Sequence, residues 1–335
     1  VLSMDVVMAD ARRARFETFD GDWAERAKRP GIEGQVYRRV PEILERYAGE
    51  IEARYPKTFR HVAGYNLNQL HDVAQPNLAK LLVGSEGTLA ITTEATLNLV
   101  PLPKYGRLAM VHFSTLRAAM EATPVILESN PTAVEVLDKM MLDLCRGMIE
   151  YRRLLTFVEG DPEIVLLVEY VGETDAELEA GIDRLQHKLN SIHHRDPVVV
   201  VSDPAQQANV WYVRKLGLGI LMSIRGDAKP IPFIEDAAVP VPPFVDYNTT
   251  IPGCPHEGGV ERVGMYAHAS AGCIHVRPLV NLKTRDGLRH LRQVAEKSVE
   301  LVLKYGGTTS GEHGEGLVRG EFTEKLFGPE LVRAF

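Results

Sequence analysis

From Tyr105 onward, strand-like and helix-like segments take turns, and this alternation limits the fold more than any other feature of the chain. "GRLAMVHF", "PTAVEVLD", "EIVLLVEYVG" and "PVVVVSD" read as strands, separated by helical patterns over 115–127, 140–151 and 176–192. Strands spaced by helices of this length predict an α+β sandwich, an antiparallel sheet with helices on one face. The region before Tyr105 reads differently. An alternating hairpin with a turn near Asp10 opens the chain, and a helical stripe covers 35–54, ended by Pro56. A glycine turn then leads into "LAITTEATLNL", where Leu89, Ile91, Thr93, Ala95, Leu97 and Leu99 alternate like a strand until Pro101 and Pro103 close it. Because 335 residues exceed one ordinary core, two domains are expected, 1–104 and 105–335, with the boundary at these prolines. The proline-rich run "VPVPPFVDYNTTIPGCPHEGG" is expected as an ordered loop between domains. Leu288, Leu291, Ala295, Val299 and Val302 mark a last long helix, stopped by Gly306 and Gly307.

Charge and cysteine usage remove several function classes. A formal charge of -7 argues against a nucleic-acid partner, which would call for a basic face. No run of eighteen apolar residues could span a membrane. Cys145, Cys254 and Cys273 are scattered and form no CxxC pair, which indicates a reducing compartment or simple indifference and no zinc ribbon or cluster.

Two segments carry the chemistry. "SGEHGEG", 310–316, sets Glu312 and His313 among Gly311, Gly314 and Gly316, a backbone free to turn tightly and to let a ligand approach. "YAHASAGCIHVRP" places His268 and His275 seven apart, with a small-residue stretch between them that can turn and bring both rings to one point. Two imidazoles and the Glu312 carboxylate would make a three-ligand metal site with an open position. His313 would then be left as a base, since imidazoles as a class titrate in the right range for proton transfer. Hydrogen-bonded histidines on a buried strand explain the same pair without a metal.

Arg214 and Lys229 flank a stretch of small and apolar residues and could hold a substrate carboxylate, the guanidinium through two parallel bonds and the ammonium as a point charge. Arg277, two residues beyond His275, would share that ring's side of a strand. Surface charges paired with Glu235 or Asp236 are the alternative. In "VGSEGTLAITTE", Gly84 and Gly87 make a turn whose amides at Gly87 and Thr88 could meet a phosphate or a flavin edge. No G-x-x-x-x-G-K-[ST] or strand-borne G-x-G-x-x-G is present, which disfavours nucleotide hydrolysis and nicotinamide chemistry.

Taken together, "LLVGSEGTLAITTEATLNLVPLP", "AHASAGCIHVRP" and "GGTTSGEHGEGLVR" resemble the FAD-linked oxidases, the group of D-lactate, glycolate and D-2-hydroxyglutarate dehydrogenases. The resemblance implies the second half of a vanillyl-alcohol-oxidase type FAD-binding domain in 1–104. It implies a ferredoxin-like substrate, or cap, domain in 105–335, with 285–335 returning toward the flavin. It also implies FAD-dependent oxidation of a D-2-hydroxy acid, with hydride passing to flavin N5 and His313 as general base. Gly84, Ser85, Gly87, Thr88 and Ile91 would contact the flavin. His268, His275 and Glu312 would hold zinc, manganese or iron, and Arg214, Lys229 and Arg277 would bind substrate. A quinone, a flavoprotein or an iron-sulfur domain would take the electrons, and the setting would be cytoplasmic or peripheral to the inner membrane.

This sequence departs from the family pattern where "GDGN" is replaced by "SAGC", with Ala271 and Cys273 at the aspartate and asparagine positions and Arg277 where a smaller amide is usual. The family's first FAD subdomain would precede residue 1, so the chain reads as a fragment. A zinc hydrolase built on the same histidines and Glu312, and a non-catalytic binding fragment, are the competing expectations.

Overall fold

The computed structural model describes the chain except residues 71–73, 241–243, 252, 254, 256–259 and 261–262 and the side chain of Phe244, so Cys254 lies outside the described residues. Two compact units are present. Unit 1 comprises Val1–Pro56, His61–Pro101 and Thr309–Phe335, and unit 2 comprises Lys57–Arg60 and Leu102–Thr308.

In unit 1 the opening segment forms the expected hairpin, β1 (Ser3–Val7) against β2 (Arg13–Glu17), and β3 (Ile91–Thr96) pairs with the other edge of β1. Ala11, with φ 63°, makes the turn. Met4, Val6 and Phe16 from the hairpin meet Tyr37 and Val40 in one core. β3 keeps its strand form yet is exposed along its whole length, with Ile91 at 67%. The single helix expected over 35–54 is two, α1 (Gly31–Arg46) and α2 (Ala48–Arg54), because Tyr47 leaves helical geometry at φ -107°, ψ 14°. One stripe served both helices in the sequence because Ile43, Leu44, Tyr47 and Ile51 pack against a common core of Tyr55, Ala63, Leu67, Leu326, Phe327 and Leu331. The last three of these belong to the helix Thr323–Ala334, by which the chain re-enters unit 1.

Unit 2 is built on β4 (Tyr105–Phe113), β5 (Ala133–Asp138), β6 (Ile164–Gly172) and β7 (Val198–Val201), all paired antiparallel in the order β7-β4-β6-β5. With α3 (Leu116–Leu127) after β4 and α5 (Asp175–Ser191) after β6, this is the β-α-β-β-α-β arrangement of a ferredoxin-like fold. The α+β class with antiparallel sheets is therefore as expected, but helices cover both faces of the sheet. Gly181 of α5 abuts the Tyr170 ring, on the even-numbered face of β6. Val165 and Leu167, on the odd face, pack with Met141 and Cys145 of α4 (Lys139–Gly147) and Val210 and Val213 of α6 (Pro204–Met222). The continuous apolar run "IVLLV", buried throughout, is the mark of a strand covered on both sides.

The sheet then grows from the β5 edge. After the short strands β8 (Lys229–Pro230) and β9 (Ala237–Ala238) come β10 (Val263–His268), which pairs with β5, and β11 (Cys273–Val280), which pairs with β10, β8 and β9. Asp138 pins this extension by accepting the Met141 and Met265 amides at 2.8 and 2.7 Å, and its burial pushes the carboxyl up to about 7. The proline-rich run expected as a loop contains a helix, Phe244–Thr250, whose Tyr247 is fully buried. The final helix of unit 2, α7 (Arg285–Lys304), ends at Gly306 with φ 66°, as its glycines foretold.

Candidate active site

The turn between β10 and β11 does what the small residues of "ASAG" allow. A single 3-10 turn, Ala269–Ala271, is followed by Gly272 in the left-handed region at φ 67°. A Cβ on Gly272 would stand 2.3 Å from the Val239 carbonyl oxygen, so backbone conformation and close approach both demand glycine there. Gly272→Ala is expected to lower the stability of unit 2 by more than about 1 kcal/mol, read as the urea midpoint. An unchanged midpoint would refute the assigned crowding.

The hairpin register sets Tyr266 opposite His275 and His268 opposite Cys273, so one face carries Tyr266, His268, His275 and Arg277. The His268 and His275 rings meet edge to face with centroids 5.1 Å apart. Two imidazoles bound to one tetrahedral zinc ion through ~2.0–2.1 Å bonds have centroids ~5 Å apart, so the pair fits as two ligands of a single ion. Tyr266 is the hub of the group. His275 stacks on its ring at 4.6 Å, the Arg214 guanidinium lies 4.8 Å from its centroid, and Arg277 donates to its hydroxyl at 3.0 Å.

Two carboxylates hold the cations. Glu135 of β5 accepts His268 Nδ1 at 2.8 Å and Arg214 Nη2 and Nε at 2.7 and 3.1 Å. Glu235 pairs with Arg277, and its Oε2 lies 3.8 Å from His275 Nδ1. Arg277 is thus paired with Glu235, as the alternative had it, but it is buried, 3% exposed, where that alternative placed it at the surface. Lys229 donates to the Ile224 carbonyl at 2.6 Å. Burial raises the Glu169 carboxyl, with the nearby Glu135 charge adding to the effect and a Trp211 hydrogen bond opposing it. Cys273 is fully buried with its Sγ 3.5 Å from the Asp236 carbonyl oxygen, and burial pushes the thiol up to about 12.

Glu312 and His313 belong to unit 1. His313 Nε2 lies 3.8 Å from Glu312 Oε2, and the histidine side chain is 45% exposed. Their loop is held from both ends. Gly314 N donates to Ser310 Oγ at 2.9 Å, and Arg319 donates to the Thr309 and Gly314 carbonyls. Buried Glu315 accepts Thr323 Oγ1 at 2.9 Å, Gly64 N at 3.2 Å and Thr309 Oγ1 at 3.2 Å, and burial raises its carboxyl.

The glycine turn of "VGSEG" takes part as well. Glu86 accepts the Glu315 and Gly316 amides at 2.9 and 3.0 Å, so the two glycine-rich motifs are bonded to each other within unit 1. Gly84 and Gly87 both have φ 77°, and nothing lies within 4 Å of a Cβ added at Gly87. Ser85 is buried, whereas Ile91 is exposed. The Thr88 amide, one of the donors anticipated for a phosphate or flavin, closes the turn onto the Ser85 carbonyl at 2.9 Å.

Sequence reasoning passed over Glu135, Tyr266 and Glu86. Glu135 had a signal: it is the one charged residue inside the apolar run "AVEVL". Tyr266, two before His268 on a strand, shared that histidine's face by period alone.

Residues 102–335 match the family described as FAD linked oxidases, C-terminal domain. The chain belongs to this family. It is 34% identical over 287 residues to D-2-hydroxyglutarate dehydrogenase of Haemophilus influenzae, covering 82% of this chain and 28% of that protein. It is 31% identical over 344 residues to the enzyme of the same name from Pseudomonas putida, covering 99% of this chain and 34% of that protein. The chain therefore spans about a third of these curated relatives. Among solved structures, 4-ethylphenol oxidase from Gulosibacter chungangensis in complex with isoeugenol superposes with TM-score 0.58 at 12% identity, over 99% of this chain and 61% of that one. That likeness bears on fold alone, and it agrees with the vanillyl-alcohol-oxidase type architecture expected from the sequence. Among the described residues no helix is long and apolar enough to cross a membrane.

Proposed function

We propose that the protein containing this chain oxidises a D-2-hydroxy acid to the 2-oxo acid with FAD. The reading rests on one observation above the rest: in a chain of the FAD-linked oxidase family, a histidine pair with metal-ligand spacing shares a sheet face with two guanidinium groups. The family found is one of oxidases, which sets the hydrolase expectation aside. The names of the relatives support a 2-hydroxy acid as substrate, 2-hydroxyglutarate among them.

His268 and His275 would supply two ligands to a divalent zinc, manganese or iron ion, and Glu312 the third. Arg214, Lys229 and Arg277 surround the substrate with positive charge. Arg214 and Arg277 are already oriented by Glu135 and Glu235, so they act as fixed, partly neutralised cations and Lys229 as the more adaptable one. His313 receives the substrate's hydroxyl proton on an imidazole nitrogen, and its exposure suits a group that meets substrate. Gly84, Ser85, Gly87, Thr88 and Ile91 would line the flavin. When bound, the flavin accepts hydride at N5 and the metal lowers the hydroxyl pKa of the substrate. A separate quinone, flavoprotein or iron-sulfur domain removes the electrons.

Anaerobic addition of D-2-hydroxyglutarate, D-lactate or glycolate to the FAD-loaded protein tests this. Bleaching of the flavin absorbance by at least one of them, and not by the L-enantiomers of the first two, is the expected result. Flavin that stays oxidised with all three would sink the proposal.

A further inference from the structure

The carboxylate of Glu135 lies where the two halves of the unit 2 site meet. It is buried, 8% exposed, on the edge of the ferredoxin-like sheet to which β10 was added, and Glu135 stands directly opposite His268 in the β5–β10 register. One of its oxygens is 2.8 Å and the other 2.9 Å from His268 Nδ1, and the second also takes both nitrogens of the Arg214 edge. An imidazole nitrogen this close to a carboxylate carries the hydrogen, which makes Nε2 the nitrogen that can bind a metal. A carboxylate behind a ligating histidine also raises the ring's basicity and fixes its orientation. Arg214 is stacked against Tyr266 by the same grip, and Tyr266 in turn stacks on His275. A single side chain therefore touches one histidine of the pair directly and reaches the other through Arg214 and the tyrosine.

We infer that Glu135 is a positioning residue, which holds His268 in the Nδ1–H tautomer and Arg214 in one orientation, so that metal ligand and substrate anchor are set by one carboxylate. The metal half of this statement rests on the function proposed above; the tautomer and the grip on Arg214 do not. Glutamine has nearly the same shape but no charge, and its amide can act as acceptor to His268 or to Arg214 while its NH2 group opposes the other.

The test uses the 335-residue chain with 15N-labelled histidine and Zn2+ as the only added ligand. In metal-free parent protein, the His268 15N shifts should report Nδ1–H. In Glu135→Gln the Nε2–H form should gain population, and Zn2+ affinity by chelator competition should fall ~10–100-fold. Glu135→Asp, which keeps the charge, should recover most of both. Should the glutamine variant fail to fold, the aspartate variant carries the test through a smaller shift of the same sign. A His268 tautomer that is Nε2–H in the parent, or one unmoved by both substitutions, overturns the inference. Parent protein that takes up no Zn2+ overturns the metal reading instead, and leaves the tautomer readout to decide the role of Glu135.

Discussion

Replacing His313 by asparagine should lower the rate of flavin reduction by a D-2-hydroxy acid ~10²–10⁴-fold while leaving Zn2+ affinity within a factor of about two of the parent. The asymmetry follows from the division of work between neighbours. Glu312 is the proposed ligand, and His313 lies 3.8 Å from it with its side chain 45% exposed. Their loop is held by Ser310, Glu315, Glu86 and Arg319. Stopped-flow reduction of the FAD-loaded protein, alongside a chelator titration, measures both quantities. Reduction at the parental rate would show that another group takes the proton. A matching loss of metal affinity would show that His313 is a ligand.

The second large effect concerns stability. Arg277→Leu should cost about 3–5 kcal/mol, because it removes the guanidinium from a carboxylate that stays buried. Arg277 and Glu235 side chains are 4% and 11% exposed, and the arginine also donates to the Tyr266 hydroxyl. Adding Glu235→Leu to the first substitution should return most of the loss, since two apolar side chains of suitable volume tolerate the same interior. Urea unfolding of the parent, the single and the double variants gives the comparison. A single variant within about 1 kcal/mol of the parent would mean that Glu235 is adequately satisfied by its other neighbours.

These sites differ in how far they could be read from the sequence. The α+β alternation was legible because runs rich in β-branched residues take turns with helical stripes, and because Gly306 and Gly307 stand where the last helix has to end. Helices on both faces were not read, although "IVLLV", a run with no alternation, pointed to them. The hairpin that joins His268 and His275 could be foreseen, since Gly272 and three small residues leave little else for the chain to do between them. Glu135 could not be placed, because its partners are 79 and 133 residues away and no local pattern encodes a pairing of β5 with β10. Arg214 and Arg277 were found as cations, but their counter-charges were found only in part. The sequence suggested Glu235 and gave no hint that Arg214 would be shared with a strand.

The β5–β10 pairing has a kinetic consequence. Chain closure over 133 residues costs more entropy than any pairing within β4–β7, and it must be met before the contacts of β10 return anything. The ferredoxin-like core can form from β4, β5, β6 and β7 and the helices between them, whereas the histidine strand joins an edge that must already exist. In pulsed hydrogen exchange during refolding, the amides of β6 should therefore gain protection before those of Met265 and Ala267. On that order, the histidine pair is set in place only after the sheet that carries it has formed.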